Sequence, residues 1–464
     1  MKSSAKRFQP WEVDQLWLLP PSVHELVPEG HLAHFVRDTV REHLDLSAIY
    51  AGYSESETRG RPPFHPGMMV SLLLYGYCRG VYSSRKIAAA AETRVDFMAV
   101  TALQKPDFRT IALFRKDHLQ ALSELFGQIL KLCQKAGLVK LGHVALDGSK
   151  FRANASKHKA MSYARMQKVE PELAAEVKKW FERAESEDES EDEQYGVDRR
   201  GDELPSWVKS KKARLEKIRA AMAELEAEAK EEAAQQKQKK KEKEKEKEKE
   251  KEKKAEKPRT PKQGAKSKKP SGVPKDKAQK NFTDPESRIM KTGDGFQQCY
   301  NAQIAVDDGH QLIVSQHITN SGNDSKQLIP LVKGIKENLG KQAREISADA
   351  GYCSEENLKD LNRRRINGYV ATGRQKHGEK TATGKKIPVA GTLVRKMWVK
   401  LKRGGHDSRY RLRKQTVEPV FGQIKSARGF RQFLLRGRDN VASEFSLICT
   451  AHNMNKLFLA MGEA

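Results

Sequence analysis

His143-Val144-Ala145-Leu146-Asp147-Gly148-Ser149-Lys150 is the stretch on which the fold turns. An apolar run stops abruptly on a carboxylate, and a glycine follows. A short apolar run bounded by turn residues reads as a buried strand. An aspartate at its tip is either an ordinary turn residue or part of a site, because sites in open α/β sheets form at strand ends. Ile346-Ser347-Ala348-Asp349-Ala350-Gly351 repeats the pattern: a short strand, an aspartate, a small residue and a glycine.

The chain around these tips alternates. "QQCYNAQIAVDD" and "HQLIVSQHIT" are β-rich and meet at Asp307-Asp308-Gly309-His310, a hairpin signal. "SKQLIPLVKGIKENLG" is an amphipathic helix ending at Gly340. "SEENLKDLNRRR" is another, with Ser354 as N-cap and Glu355 and Glu356 suited to its positive end. Gly368 to Thr372 is a further strand. The order β, β, β, α, β, α, β predicts a mixed α/β layer fold. A long charged insert separates its first and second strands.

A third carboxylate, Glu418 in "QTVEPVFGQIK", is expected at a helix start, capped by Thr416 or opened by Pro419. Val417, Phe421 and Ile424 would then face the core. Glu418 is one of two acids among 14 Lys and Arg between Arg395 and Arg438. That segment and Lys237–Lys280 together carry 24 of the 26 excess positive charges, so the remainder is nearly balanced. So basic a chain seeks polyanions, nucleic acid first among them. Carboxylates that converge in basic surroundings repel one another until a hard divalent cation sits between them. Mg²⁺ takes oxygen ligands together with substrate phosphate oxygens, and a pair of such ions serves phosphoryl transfer.

The five cysteines are dispersed, odd in number and never in a CxxC pair, which argues against a disulfide framework or zinc knuckle. The longest apolar patch, Met68 to Leu74, is too short to span a membrane. A cytoplasmic, nucleoid-associated protein is expected. His31 and His34 lack an evident third ligand, so packing or capping is the commoner role for them.

Residues 1 to about 125 read as helices. Pro66 opens one and Gly80 ends it. Ser83 or Ser84 caps the next, which begins Ser-Ser-Arg-Lys with Arg85 and Lys86, and a third starts near "PDFRT". This suits a helix-turn-helix, although an ordinary bundle is the commoner arrangement. In the insert, Leu215, Ile218, Met222, Leu225 and Ala229 mark a coiled-coil seam or a helical hairpin arm. Lys241 to Glu250 alternates Lys and Glu, which sets favourable i,i+3 pairs against unfavourable i,i+4 ones. A frayed helix or disordered chain is expected there. The Pro- and Lys-rich run from Pro258 to Lys277 reads as a linker, either a tether or a loose phosphate contact.

With these motifs in place the sequence resembles the DDE transposases of bacterial insertion sequences. "VALDGSKFRANAS" resembles their first-aspartate strand. Cys299-Tyr300-Asn301-Ala302-Gln303, Thr319–Leu328 and Ala348–Ser354 ("ADAGYCS") follow in the family's order, and Val417–Gly437 resembles the glutamate helix. "GRPPFHPGMMVSLLLYGYCRGVYSSRKI" resembles the helical domain that precedes such cores. The resemblance implies an RNase H-like core with Asp147, Asp349 and Glu418 as catalytic and metal-binding residues, two Mg²⁺ ions with Mn²⁺ as substitute, and DNA as partner. It also implies a homodimer in the active complex. A Tyr–Arg–Glu–Lys signature maps to Tyr410, Arg413, Glu418 and Lys425, with four residues between Arg413 and Glu418. DNA contacts are expected from Lys425, Arg413, Tyr410, Arg428, Arg431, Arg85 and Lys86.

The implied organisation is a helical DNA-binding domain over 1–125, core segments over 138–164 and 283–464, and the charged insertion over 165–282. The implied activity is cleavage at element ends followed by strand transfer. The alternatives are a metal-dependent nuclease of the same fold and a catalytically inactive DNA-binding regulator.

Overall fold

The computed structural model describes residues 22, 25, 27–53, 63–156, 159–195, 206–251, 272–374, 381–384 and 386–462. Its centre is a six-stranded mixed sheet. Strand β1 (His143–Arg152) lies between β5 (Gly295–Asp307), antiparallel to it, and β7 (Glu345–Ala348), parallel to it. β8 (Asn367–Val370) continues beyond β7, while β4 (Arg288–Thr292) and β6 (Ile313–Thr319) both pair with β5. Val144, Ala145 and Leu146 are fully buried. Helices cover both faces of the sheet, which is why its inner strands read as continuous apolar runs.

The expected alternation is present in β1, β5, β6, α10 (Leu328–Leu339), β7, α11 (Glu355–Arg363) and β8, with the insert between β1 and β5. This is an α/β, RNase H-like arrangement. Gly340 ends α10 with φ +68°, a left-handed cap that costs glycine nothing. Ser354 caps α11 by accepting from Asn357 N. Glu355 and Glu356 lie in its first turn, as expected, and the Glu355 carboxylate also accepts the amides of Leu393 and Val394 at the start of α12 (Leu393–Gly404).

Among the described residues, seven helices precede the sheet: α1 (Leu32–His43), α2 (Ser47–Ala51), α3 (Pro66–Cys78), α4 (Ser84–Thr93), α5 (Val95–Thr101), α6 (Phe108–Asp117) and α7 (Leu119–Lys135). Pro66 opens α3 and Ser83 precedes α4, as read from the sequence. His31 caps α1 through Nδ1, and His34 is buried with Nε2 against Val27 O. The buried guanidinium of Arg115 on α6 donates to Tyr77 Oη, Tyr82 O and Ser84 Oγ, which fixes the α3–α4 turn. α14 (Arg438–Gly462) then joins these helices to the sheet. Its Asn453 side chain exchanges two 2.8 Å hydrogen bonds with the backbone of Ile313 on β6, and its Ser446 donates to Ser123 O on α7. One buried apolar cluster therefore runs from α1 through the sheet to α14. Among the described residues, no helix is long and apolar enough to cross a membrane.

The insert is an antiparallel hairpin of α8 (Tyr163–Tyr195) and α9 (Ser206–Lys251), the second of the two readings of its heptad-like spacing. Met166 and Leu173 meet Leu215, Ile218 and Leu225 in a separate small core. At the base, β2 (Ala160–Ser162) pairs with β3 (Gln279–Asn281). The Lys/Glu run does not break: α9 continues to Lys251. Lys and Glu are both good helix formers, and the i,i+3 pairs offset the i,i+4 repulsion. The linker between Pro258 and Ser271 lies outside the described residues.

Candidate active site

In the parallel register of β1 and β7, Leu146 stands opposite Ala348. The next residues are Asp147, midway along β1, and Asp349, just past the end of β7, so segments more than 200 positions apart bring their aspartates side by side where β7 ends. β1 does not stop at Asp147, as the sequence suggested, but runs on through Gly148 to Arg152 because β5 pairs with it along that whole length. Asp147 Oδ1 accepts from Gly148 N at 2.9 Å. Asp349 caps the short 3₁₀ turn Ala350–Tyr352, with Oδ1 taking Gly351 N at 2.8 Å. Gly148 is required by packing. A Cβ there would lie 2.1 Å from Gln303 Nε2 on the paired strand β5.

The third carboxylate arrives on α13 (Leu412–Gly422), which crosses β1. Glu418 is not at a helix start, contrary to the sequence expectation. It lies inside α13, with Pro419 also internal. A proline there removes the amide that would bond the carbonyl of Gln415. That carbonyl accepts from Gln311 Nε2 at 3.1 Å instead, so the helix continues through the proline. Val417 and Ile424 are fully buried and Phe421 is nearly so, as expected. After Gly422 the helix widens into a π turn over Gln423–Ala427, which carries Lys425.

Arg413, one turn before Glu418, is buried. Its guanidinium donates to Glu418 Oε1 at 3.0 Å and to Asp147 Oδ2 at 3.2 Å. Asp147 is thus compensated by a cation, yet burial pushes its carboxyl up to about 6; Arg413 opposes this, while Asp349 and Glu418 add to it. Burial also raises Asp349, against the pull of Arg413 and with the charge of Asp324 adding to the rise. Among the described residues, no three His, Cys, Asp or Glu side chains stand together in a group able to hold a metal ion as they are placed. The donors themselves, carboxylate oxygens disfavoured in their charged form, have the chemistry of a hard-cation site. The guanidinium supplies positive charge at that point.

Beside the aspartates runs a groove of about 630 Å³ lined by Lys150, Arg152, Lys291, Lys425 and Arg431, together with Asp349 and Asp324. Lys425 Nζ donates to Ser149 Oγ at 2.7 Å and Lys150 O at 2.6 Å, and lies 4.3 Å from the Phe151 ring centroid. Burial lowers its pKa to about 8. Arg431 is exposed at the groove wall.

The other expected DNA contacts are placed differently. Arg413 is turned into the carboxylates. Tyr410 is half-buried in a small adjoining pocket. Arg428 is turned inward, with Nη2 at 2.9 Å from His452 Nδ1. Arg85 and Lys86 are exposed on α4 and do not line the groove.

Three residues given no role in the sequence reading also stand at the site. Gln303, buried over Gly148, accepts from Tyr352 Oη and donates to Asp324 Oδ1 at 2.7 Å; Asn301 donates to the same oxygen at 2.7 Å. They lie in "CYNAQ" and "NSGND", segments whose composition looks like strand and turn.

Residues 259–454 match a family described as "Transposase DDE domain", and residues 21–117 one described as "Transposase domain". The first match includes Asp349 and Glu418. Asp147 lies before it, across the inserted arm. No curated protein and no solved structure matches the chain.

Proposed function

For a chain that belongs to the DDE transposases, we propose that Asp147, Asp349 and Glu418 form the centre that cuts DNA at the ends of a mobile element and joins the freed ends to target DNA. The observation that carries this reading is the juxtaposition of Asp147 on β1 and Asp349 at the end of the neighbouring β7, beside a groove lined by Lys150, Arg152, Lys291, Lys425 and Arg431.

The basic groove binds the phosphate backbone, largely independently of sequence. Lys425, immobilised by Ser149 and Lys150, orients one phosphate next to the two aspartates. Arg413 holds Asp147 and Glu418 in register with each other until DNA and cations enter, and then gives up that pairing. Asp147, Asp349 and Glu418 would hold two divalent cations, Mg²⁺ or Mn²⁺, whose Lewis acidity stabilises the attacking and leaving oxygens of phosphoryl transfer. In the first reaction water attacks the phosphorus and the P–O3′ bond breaks, leaving a 3′-OH. In the second that hydroxyl attacks a target phosphodiester. One P–O bond forms as another breaks, and the target's own 3′-OH departs.

The exposed Arg85 and Lys86 at the start of α4 are suited to reading the element end, with the active complex a homodimer.

The test uses Asp147→Asn and Glu418→Gln with DNA carrying an element end. Binding should survive and strand cleavage should vanish; substantial remaining cleavage sinks the assignment. Cleavage by the wild type without joining would make the chain a nuclease. Metal-independent binding without nicking would make it a regulator.

A further inference from the structure

The groove holds an acidic side chain outside the triad. Asp324 follows β6 and lines the groove beside Asp349. Its Oδ1 is saturated by two amides of β5, Asn301 Nδ2 and Gln303 Nε2, both at 2.7 Å. Neither amide is free to turn. Asn301 Nδ2 also reaches Ser321 O at 3.0 Å, and Gln303 Oε1 accepts from the fully buried Tyr352. With Oδ1 so held, Oδ2 faces the bare backbone of Gly351. A Cβ on that glycine would lie 3.3 Å from Asp324 Oδ2 and 3.0 Å from Asp349 Oδ1. Two carboxylates therefore border the same glycine, one bonded to its amide through the 3₁₀ turn and the other anchored by strand β5, and the charge of Asp324 adds to the rise in the pKa of Asp349. Arg413 bonds Asp147 and Glu418 but neither of these two.

Two carboxylates held beside one glycine by independent scaffolds, with the groove open next to them, disfavour each other's charged form until a cation comes near. We propose that Asp324 is a fourth carboxylate of the site, a positioning residue that shares with Asp349 the hold on a divalent cation. The inference rests on the reading of the site given above. It assigns the role to the charge of Asp324 rather than to its hydrogen bonds. Asn301 and Gln303 fix that charge in place.

Asp324→Asn separates the two contributions, because an asparagine Oδ1 still accepts both amide bonds while the charge is gone. Mn²⁺ binding to the full chain, followed by electron paramagnetic resonance without DNA, reads the effect independently of activity. Asp349→Asn should abolish the bound-ion signal. Asp324→Asn should bind roughly ten- to a hundredfold more weakly than wild type, with unchanged circular dichroism and an unchanged melting temperature in the absence of metal. Should Asp324→Asn fail to fold, Asn301→Ala carries the test. It keeps the charge and removes one anchor, so the affinity should fall severalfold. Wild-type affinity in the folded Asp324→Asn protein, or in Asn301→Ala where that variant carries the test, overturns this inference alone if Asp349→Asn still loses the ion. A wild-type chain that binds no Mn²⁺ overturns both this inference and the site reading.

Discussion

Arg413 Nη2 lies 3.2 Å from Asp147 Oδ2, while Nη1 of the same guanidinium holds Glu418 Oε1 at 3.0 Å. One buried cation thus ties strand β1 to the glutamate helix. It does so at the point where the proposed chemistry needs a metal. Removing one member of a buried ion pair leaves the other uncompensated and costs roughly 3–5 kcal/mol. Glu418 is about half exposed, which lessens the cost on its side. Arg413→Gln should lower the melting temperature at neutral pH, and millimolar Mg²⁺ should recover more of the loss than it adds to wild type. Equal Mg²⁺ shifts in both proteins would show that guanidinium and metal do not compete.

Asp147 makes a second, pH-dependent prediction. Its folded pKa of about 6 exceeds the ordinary 3.8, so between those values the folded chain keeps a proton that the unfolded chain has released. Stability from this group is therefore present below pH 3.8 and is lost as pH rises through 6. Asp147→Asn also takes a partner from Arg413, so the reading is the change with pH: relative to wild type the variant should gain on the order of 2 kcal/mol on going from pH 4 to pH 8, while abolishing cleavage. Urea unfolding at the two pH values measures the difference.

His452 has the opposite sign. Burial, with Arg428 beside it, lowers its pKa to about 3. The neutral ring donates from Nε2 to Gln311 O and accepts at Nδ1 from Arg428. Between about 3 and 6.5 only the unfolded chain takes up the proton, so this group's contribution is complete above 6.5 and falls away as the solution is acidified. His452→Gln should flatten the acid limb of the stability profile.

Gly148→Ala should be severe for a steric reason, since its Cβ would meet the Gln303 amide at 2.1 Å. Overpacking of this kind costs typically about 1–3 kcal/mol. Gln303→Ala, which takes the acceptor from the buried Tyr352 hydroxyl, should cost less in the Gly148→Ala background than in wild type, because there it also removes the clash. Equal costs in the two backgrounds would place the clash elsewhere.

Lys425→Met should weaken binding to any DNA sequence about equally and reduce the slope of log affinity against log salt by roughly 1. Fluorescence anisotropy on two unrelated duplexes decides between that outcome and a loss confined to one sequence.

Much of this architecture could be read from local chemistry. The apolar run into Asp147, the Ser354 cap, Gly340 and the hairpin at Asp307–His310 each carry their signal within a few residues. Pairing the two aspartates also needed only strand order. The start of α13 was misread because Pro419 looks like a first-turn proline. The bond that lets it sit inside a helix comes from Gln311, 104 positions away from Gln415. Arg428 looked like a phosphate ligand for the same reason: its partner His452 lies 24 residues on, across a helix packing. Strand β4 is too short and too polar to announce itself, and Asp324 acquires its setting only when β5 folds beneath it.

Gly80 ends α3 with φ +73°, and a Cβ there would meet Arg428 O, just past the glutamate helix, at 2.6 Å. Tyr82 Oη also donates to Gly429 O at 3.1 Å. A side chain at position 80 would wedge these surfaces apart. With bare backbone there, the front helices and the turn after the glutamate helix touch directly. If the exposed start of α4 grips the element's end and the carboxylates cut, the number of base pairs between grip and cut follows from the span across this contact, as on a ruler.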